Sequence, residues 1–297
     1  METSINPLLI LAHGLNGLLM IGMPVALGIY LVRRFKLGWR LWWIGAGTFI
    51  LSQIGHIPFN AALTQLFVRG LLPAPPDAWK LAFNATILGL SAGLWEELAR
   101  YATFRWWAKD ARSWRKAILL GAGHGGIEAI ILGALVLVSF FSMLALRGAD
   151  LAAVVPAGQL EAASQQIAAY WGATWYDSLL GALERAMSIP VQITLAVLVL
   201  QTFTRRQPVW LWLAVLWHAV IDGTVLIVLA NWGMYASEAA VGVFSLLSLG
   251  ILFALRQPEP PAPADDTDLP TIPPGGRPAN LDALEDSDDT LERSRYD

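Results

Sequence analysis

Cysteine is absent from the 297-residue chain, which excludes disulfides, thiolate metal sites and a cysteine nucleophile. Charge is scarce too. Only 14% of residues are Asp, Glu, Lys or Arg and 56% are hydrophobic, whereas a soluble domain carries roughly a quarter charged residues. That balance defines a polytopic membrane protein. The net charge of −3 conceals an acidic excess in the C-terminal tail and a basic remainder. No basic face of the kind that binds nucleic acid is visible, so no nucleic-acid partner is expected. The N-terminus lacks a basic leader region and a clear small-residue cleavage site, so the first apolar run is expected to be a retained helix rather than a signal peptide. Internal repeats are missing as well, and no HExxH zinc-helix motif occurs.

What is present is a set of apolar runs near the roughly 20 residues that cross a bilayer. Seven spans are expected: Leu8 to Val32, Leu41 to Phe59, Leu81 to Phe104, Ala117 to Leu146, Leu179 to Phe203, Val209 to Ala230 and Ala236 to Leu255. The third and fifth carry charges and are weak by hydropathy alone. Basic residues favour alternate loops: Arg33, Arg34, Lys36 and Arg40, then Arg105 to Lys116, then Arg205 and Arg206, then Arg256. The positive-inside rule then puts the N-terminus outside and the C-terminus in the cytoplasm. The fold class is all-α, a transmembrane helix bundle over residues 1–256. The long loop from Arg147 to Tyr176 is expected outside, with a short surface helix. Residues 257–297, rich in Pro, Asp and Gly, are expected to form a disordered cytoplasmic tail.

Ionisable side chains inside a membrane are costly and default to a functional reading. The fourth span holds GAGHGGIEA, with His124 and Glu128 on one helix face among glycines that permit close approach. The third holds Glu96, Glu97 and Arg100 in WEELARY, and the sixth His218 and Asp222 in WHAVIDG. Counting about 1.5 Å per residue from the basic loops places Glu96, Glu97 and His124 roughly 12 Å deep and His218 roughly 15 Å deep. Three helices thus bring Glu, His and His to one level. Plainer readings stand beside these. Glu96 can simply pair with Arg100 at i, i+4. His13 suits an interhelical hydrogen bond, and Glu184 with Arg185 suits structural ion pairs. His56, ahead of Pro58, fits either packing or a substrate channel.

A carboxylate and two imidazoles around water suit hydrolysis. Glutamate can act as general base, and imidazoles can position the water or donate to the oxyanion of a peptide carbonyl. Glu128 and Asp222, each four residues after a histidine, can accept an imidazole N–H and fix the ring. Glu96, His124 and His218 can instead hold Zn²⁺ with an open fourth position. Without HExxH, zinc is the less favoured reading and no cofactor is required.

The combination of EELAR, GHGGIE and HAVID in successive polar spans resembles the YhfC family of intramembrane proteases. That family is in turn similar to the CAAX-protease and bacteriocin-processing membrane endopeptidases. The cluster Gln53, His56, Pro58 and Asn60 and the pair Glu184-Arg185 also look like YhfC features, and the resemblance covers roughly residues 8 to 255. It implies that Glu96 and Glu97 match the wider group's glutamate pair, His124 its first catalytic histidine, and His218 with Asp222 its final His-x-x-x-Asn/Asp. One departure is that only Leu98 and Ala99 separate the pair from Arg100, where the wider group has three residues. The resemblance implies a glutamic intramembrane endopeptidase acting on a membrane protein or lipidated peptide, in contact with membrane lipid, in a bacterial plasma membrane. Catalysis would rest on Glu96, Glu97, His124, His218 and Asp222, supported by Arg100 and Glu128. A proton-coupled transporter or a non-enzymatic scaffold would use similar buried groups, but a transporter often shows the internal repeat that is missing here.

Overall fold

The computed structural model describes residues 6–258, and the expectation of a disordered tail lies almost wholly outside the described residues. Within them the chain is helical and has no strand. Helix α1 spans Pro7–Phe35, α2 Arg40–Val68, α3 Asp77–Ala102 and α4 Trp114–Leu146. Two short helices follow, α5 over Leu151–Val154 and α6 over Leu160–Gly172. Helix α7 spans Leu180–Thr204, α8 Val209–Trp232 and α9 Met234–Ala254. The surface helix expected in the long loop is α6.

Helix ends follow local chemistry. The Asn6 side chain accepts the Leu8 amide at 3.0 Å and Pro7 occupies the first helical position of α1. Gly233 joins α8 to α9 with φ 80°, a conformation glycine adopts without steric cost. After α3 the backbone widens into a π-turn over Thr103–Trp107. The following connection is held to α2 by a two-pronged pair of Arg40 with Asp110 at 2.9 and 3.0 Å. Hydrogen bonding to that guanidinium holds the Asp110 carboxyl below the usual carboxylate range.

Five of the seven long helices, α1, α4, α7, α8 and α9, are long and apolar enough to cross a membrane by length and composition. The other two, α2 and α3, are of similar length, at 29 and 26 residues, but more polar. The weak fifth span therefore stands, because Glu184 and Arg185 lie near its start and the remainder is apolar. The second falls short instead, because Gln53, His56 and Asn60 interrupt it.

Helix α4 packs on α1, α2 and α7, while α3 lies against α8 and α2. Glycine makes these approaches possible. A Cβ at Gly123 would lie 1.9 Å from the Trp42 carbonyl oxygen of α2, and one at Gly45 would lie 1.9 Å from that of Leu120 in α4. On another face of α4, a Cβ at Gly121 would meet the Ile193 Cα of α7 at 2.7 Å. On α3, a Cβ at Gly93 would meet the Val215 carbonyl oxygen of α8 at 2.7 Å. Large apolar side chains such as Leu18, Ile54, Leu135 and Leu246 face outward, whereas Glu97, Arg100 and His124 are 0% exposed. Apolar outside and ionic within is the arrangement a lipid solvent favours.

Candidate active site

Glu96 and Glu97 are consecutive on α3, so their side chains diverge around the helix and reach different neighbours. Glu96 Oε2 lies 3.0 Å from His124 Nε2 on α4. Glu97 Oε1 lies 2.8 Å from His218 Nδ1 on α8. Two glutamate–histidine pairs therefore form across three helices. Arg100 ties them together, donating to Glu97 and lying 3.4 Å from Glu96 Oε2. The pairing of Arg100 with Glu96 weighed from the sequence is therefore present, and the adjacent glutamate makes the closer bond.

The same guanidinium donates to Gln192 on α7, whose amide nitrogen donates to Glu128 Oε2 at 3.0 Å. Glu128 Oε1 accepts from Arg185 at 2.6 Å, and Arg185 also bonds Glu184. Buried charge is thereby paired along the whole chain from α3 through α7 to α4, as a low-dielectric interior requires. Glu128 does not orient His124 as the i, i+4 spacing suggested. A charge-assisted bond to Arg185 is stronger than one to a neutral imidazole, and His124 Nδ1 is left without a partner among the described residues. Glu184 and Arg185 form the structural ion pairs expected of them.

Asp222 lies beyond His218, with Oδ2 3.5 Å from Nε2 and its side chain 40% exposed. His218 thus has its Nδ1 side held by Glu97 and its Nε2 side toward more open space. On α2, Gln53 reaches Glu96 Oε1 at 3.4 Å, while Asn60 Nδ2 donates to His56 Nε2 at 2.9 Å and Ser91 of α3 lies 3.2 Å from the same nitrogen. His56 therefore flanks the site without touching the glutamates. His13 is remote, stacked on Tyr170 at 4.1 Å and 3.4 Å from the Ser178 hydroxyl, which is a packing role. Gln192 and Ser91 are the site neighbours that sequence reasoning missed. The trace of Gln192 was an amide alone in the apolar run after Pro190, and Ser91 left none.

The donor set can be tested against a zinc ion. Among the described residues, no three His, Asp or Glu side chains are grouped so as to hold a metal. Arg100 stands where it bonds both glutamates, so a cation there would face like charge. The arrangement does not fit a zinc site formed by Glu96, His124 and His218. Glu97 Oε2 and His124 Nδ1, buried and with no partner among the described residues, instead leave hydrogen-bonding capacity for water or substrate.

A membrane-embedded, all-helical, multi-pass bundle with two glutamate–histidine pairs at its centre is the class of protein this fold and site define. A model of the YhfC intramembrane metalloprotease family matches residues 19–245, and the chain belongs to that family. It is similar to the uncharacterized membrane protein YhfC of Bacillus subtilis (strain 168), 28% identical over 236 residues that make up 78% of this chain and 89% of that protein. No solved structure matches. The family's description supports a membrane protease.

Proposed function

We propose that the chain is an intramembrane endopeptidase of the glutamic type, cleaving peptide bonds of membrane proteins or lipidated peptides with a glutamate-activated water. The observation that carries this reading is the double pairing of Glu96 with His124 and Glu97 with His218 about one buried arginine. Glu97 is bonded by both Arg100 and His218 and is 0% exposed, while Glu96 pairs with His124 at 3.0 Å, lies 3.4 Å from Arg100 and from Gln53, and is 6% exposed. Glu96, the less tightly held by Arg100 and the more exposed of the two, is assigned as the base. It takes a proton from water as the water oxygen attacks the peptide carbonyl carbon. The oxyanion that forms accepts from His218 Nε2, whose ring is anchored through Nδ1 to Glu97. Glu96 then delivers the proton to the leaving nitrogen as the C–N bond breaks. Arg100, fixed by Gln192, keeps both carboxylates in register, and Asp222, 3.5 Å from His218 Nε2, holds that N–H only until the oxyanion takes it.

Zinc-dependent hydrolysis by the same residues is the second reading, favoured by the family's description. The position of Arg100 counts against it. Metal analysis of purified protein together with a protease assay on membrane-embedded peptides separates the two. Activity that survives strong chelators, with well under one zinc per chain, is expected. Stoichiometric zinc lost and regained in step with activity would overturn the glutamic reading. The site is proposed to act in a bacterial plasma membrane, with the N-terminus outside and the C-terminus cytoplasmic.

A further inference from the structure

A membrane helix presents no peptide bond ready to be cut, because its N–H and C=O groups are already paired within the helix and lipid supplies no replacement. A substrate segment has to unwind, and the protease must then offer its backbone donors and acceptors and its side chains room. Residues 60–68 of α2 and 80–88 of α3, with the connection between the helices, border a cleft of about 310 Å³. Its walls are mainly apolar, Leu63, Phe83, Ile87 and Leu88 among them, with Asn60 and Asn84 between. A few polar groups converging in an apolar cleft mark a ligand site. Asn60 and Leu88 are the lining residues nearest to Glu96 along their helices. Leu88 precedes Glu96 on α3 by about 12 Å at 1.5 Å per residue, a distance that an extended peptide covers in roughly three or four residues. Along that interval one face of α2 carries Asn60, His56 and Gln53, and Gln53 reaches Glu96 Oε1 at 3.4 Å. Asn60 Nδ2 donates to His56 Nε2 at 2.9 Å, which puts the proton of the neutral ring on Nδ1. His56 Nδ1 makes no hydrogen bond with a described residue, and Asn60 Oδ1 is buried with no partner among them. Turning the amide over only exchanges the two roles. In either orientation one donor and one acceptor stand a helical turn apart between the cleft and Glu96, which is what a peptide group requires.

We infer that the α2–α3 cleft is a substrate subsite, taking a large apolar side chain about three or four residues from the scissile bond while Asn60 and His56 pair the unwound backbone between. The inference rests on the catalytic reading for its scissile bond, so binding is measured apart from cleavage. The chain has no cysteine, and a single one can therefore be introduced on the full-length protein. Leu88→Cys, in the cleft, and Leu135→Cys, on the outward face of α4 and 57% exposed, are compared in vesicles for disulfide formation with a leucine-rich transmembrane peptide. A central glycine pair weakens the peptide's helix, and its one cysteine lies about four residues from that pair. Leu88→Cys should couple and Leu135→Cys should not. On the same peptide without cysteine, Asn60→Leu should raise KM about fivefold, the worth of one hydrogen bond, and leave kcat unchanged, as loss of uniform binding does. Leu88→Trp, which fills the cleft and removes no hydrogen bond, should also raise KM, and it reads out the site if Asn60→Leu does not fold. Glycine in place of the peptide's leucine about four residues from the cleaved bond should lower kcat/KM about tenfold, the worth of burying that side chain. Equal coupling at the two cysteines, none at Leu88→Cys, or unchanged kinetics in the folded variants and the glycine peptide would overturn the subsite. Coupling at Leu88→Cys with no cleavage by the unaltered chain would instead sink the catalytic reading and leave the cleft as a peptide-binding site.

Discussion

Among single residues, Gln192 carries the sharpest expectation, because it joins the site to the ion network. Its carbonyl oxygen accepts from Arg100 and its nitrogen donates to Glu128, both deep in the bundle. Gln192→Leu keeps approximate size but leaves both partners short of a bond, at a cost of about 1–3 kcal/mol for each unsatisfied group. The expected outcome is a lower thermal midpoint in detergent and a reduced turnover number, with Gln192→Glu restoring part of the stability by accepting from Arg100. Unchanged stability and turnover in Gln192→Leu would show that Arg100 is held by the glutamates alone. What the sequence revealed at this scale was the charged half of the site. Glu96, His124 and His218 stand out because ionisable groups are rare in apolar runs. An uncharged amide does not stand out, and the partner of Glu128 is on another helix, where spacing along one chain cannot reveal it.

For whole helices, glycine decides which can touch. Gly123 meets the α2 backbone so closely that any Cβ would collide with the Trp42 carbonyl, whereas Gly22 of α1 has nothing within 4 Å of an added Cβ. Gly123→Leu should therefore abolish monodisperse folded protein. Gly22→Ala should be tolerated within about 1 kcal/mol, the usual difference between the two residues in a helix. Size-exclusion profiles and thermal unfolding compare them, and a well-folded Gly123→Leu protein would contradict the packing described. The seven long helices were legible from hydrophobic runs, with ends misplaced where helix continues into polar sequence. α2 runs to Val68 and not to Phe59, because Asn60 and Thr64 stay helical, their side chains bonding His56 and the Asn60 carbonyl. The glycines of the fourth span announced close packing but not which helices they would meet.

Over the described residues the molecule is a bundle whose ionic interior is held by apolar helices, and the distribution of basic loops predicts an orientation that can be tested. Reporter fusions at Lys109 and Arg206 should score cytoplasmic and one at Glu161 external; an external Lys109 would remove the basis for the depth count. The central claim is that this interior hydrolyses peptide bonds inside the membrane with Glu96 as base. Cleavage of a membrane-embedded peptide by protein reconstituted in vesicles tests it most directly, with wild type compared against Glu96→Gln. Glutamine keeps size and hydrogen bonding but cannot take a proton, so the rate should fall by about 10² to 10⁴, with the protein still folded and His124→Ala and His218→Ala similarly inactive. Wild-type cleavage rates in Glu96→Gln, Glu97→Gln and both histidine variants would contradict the account.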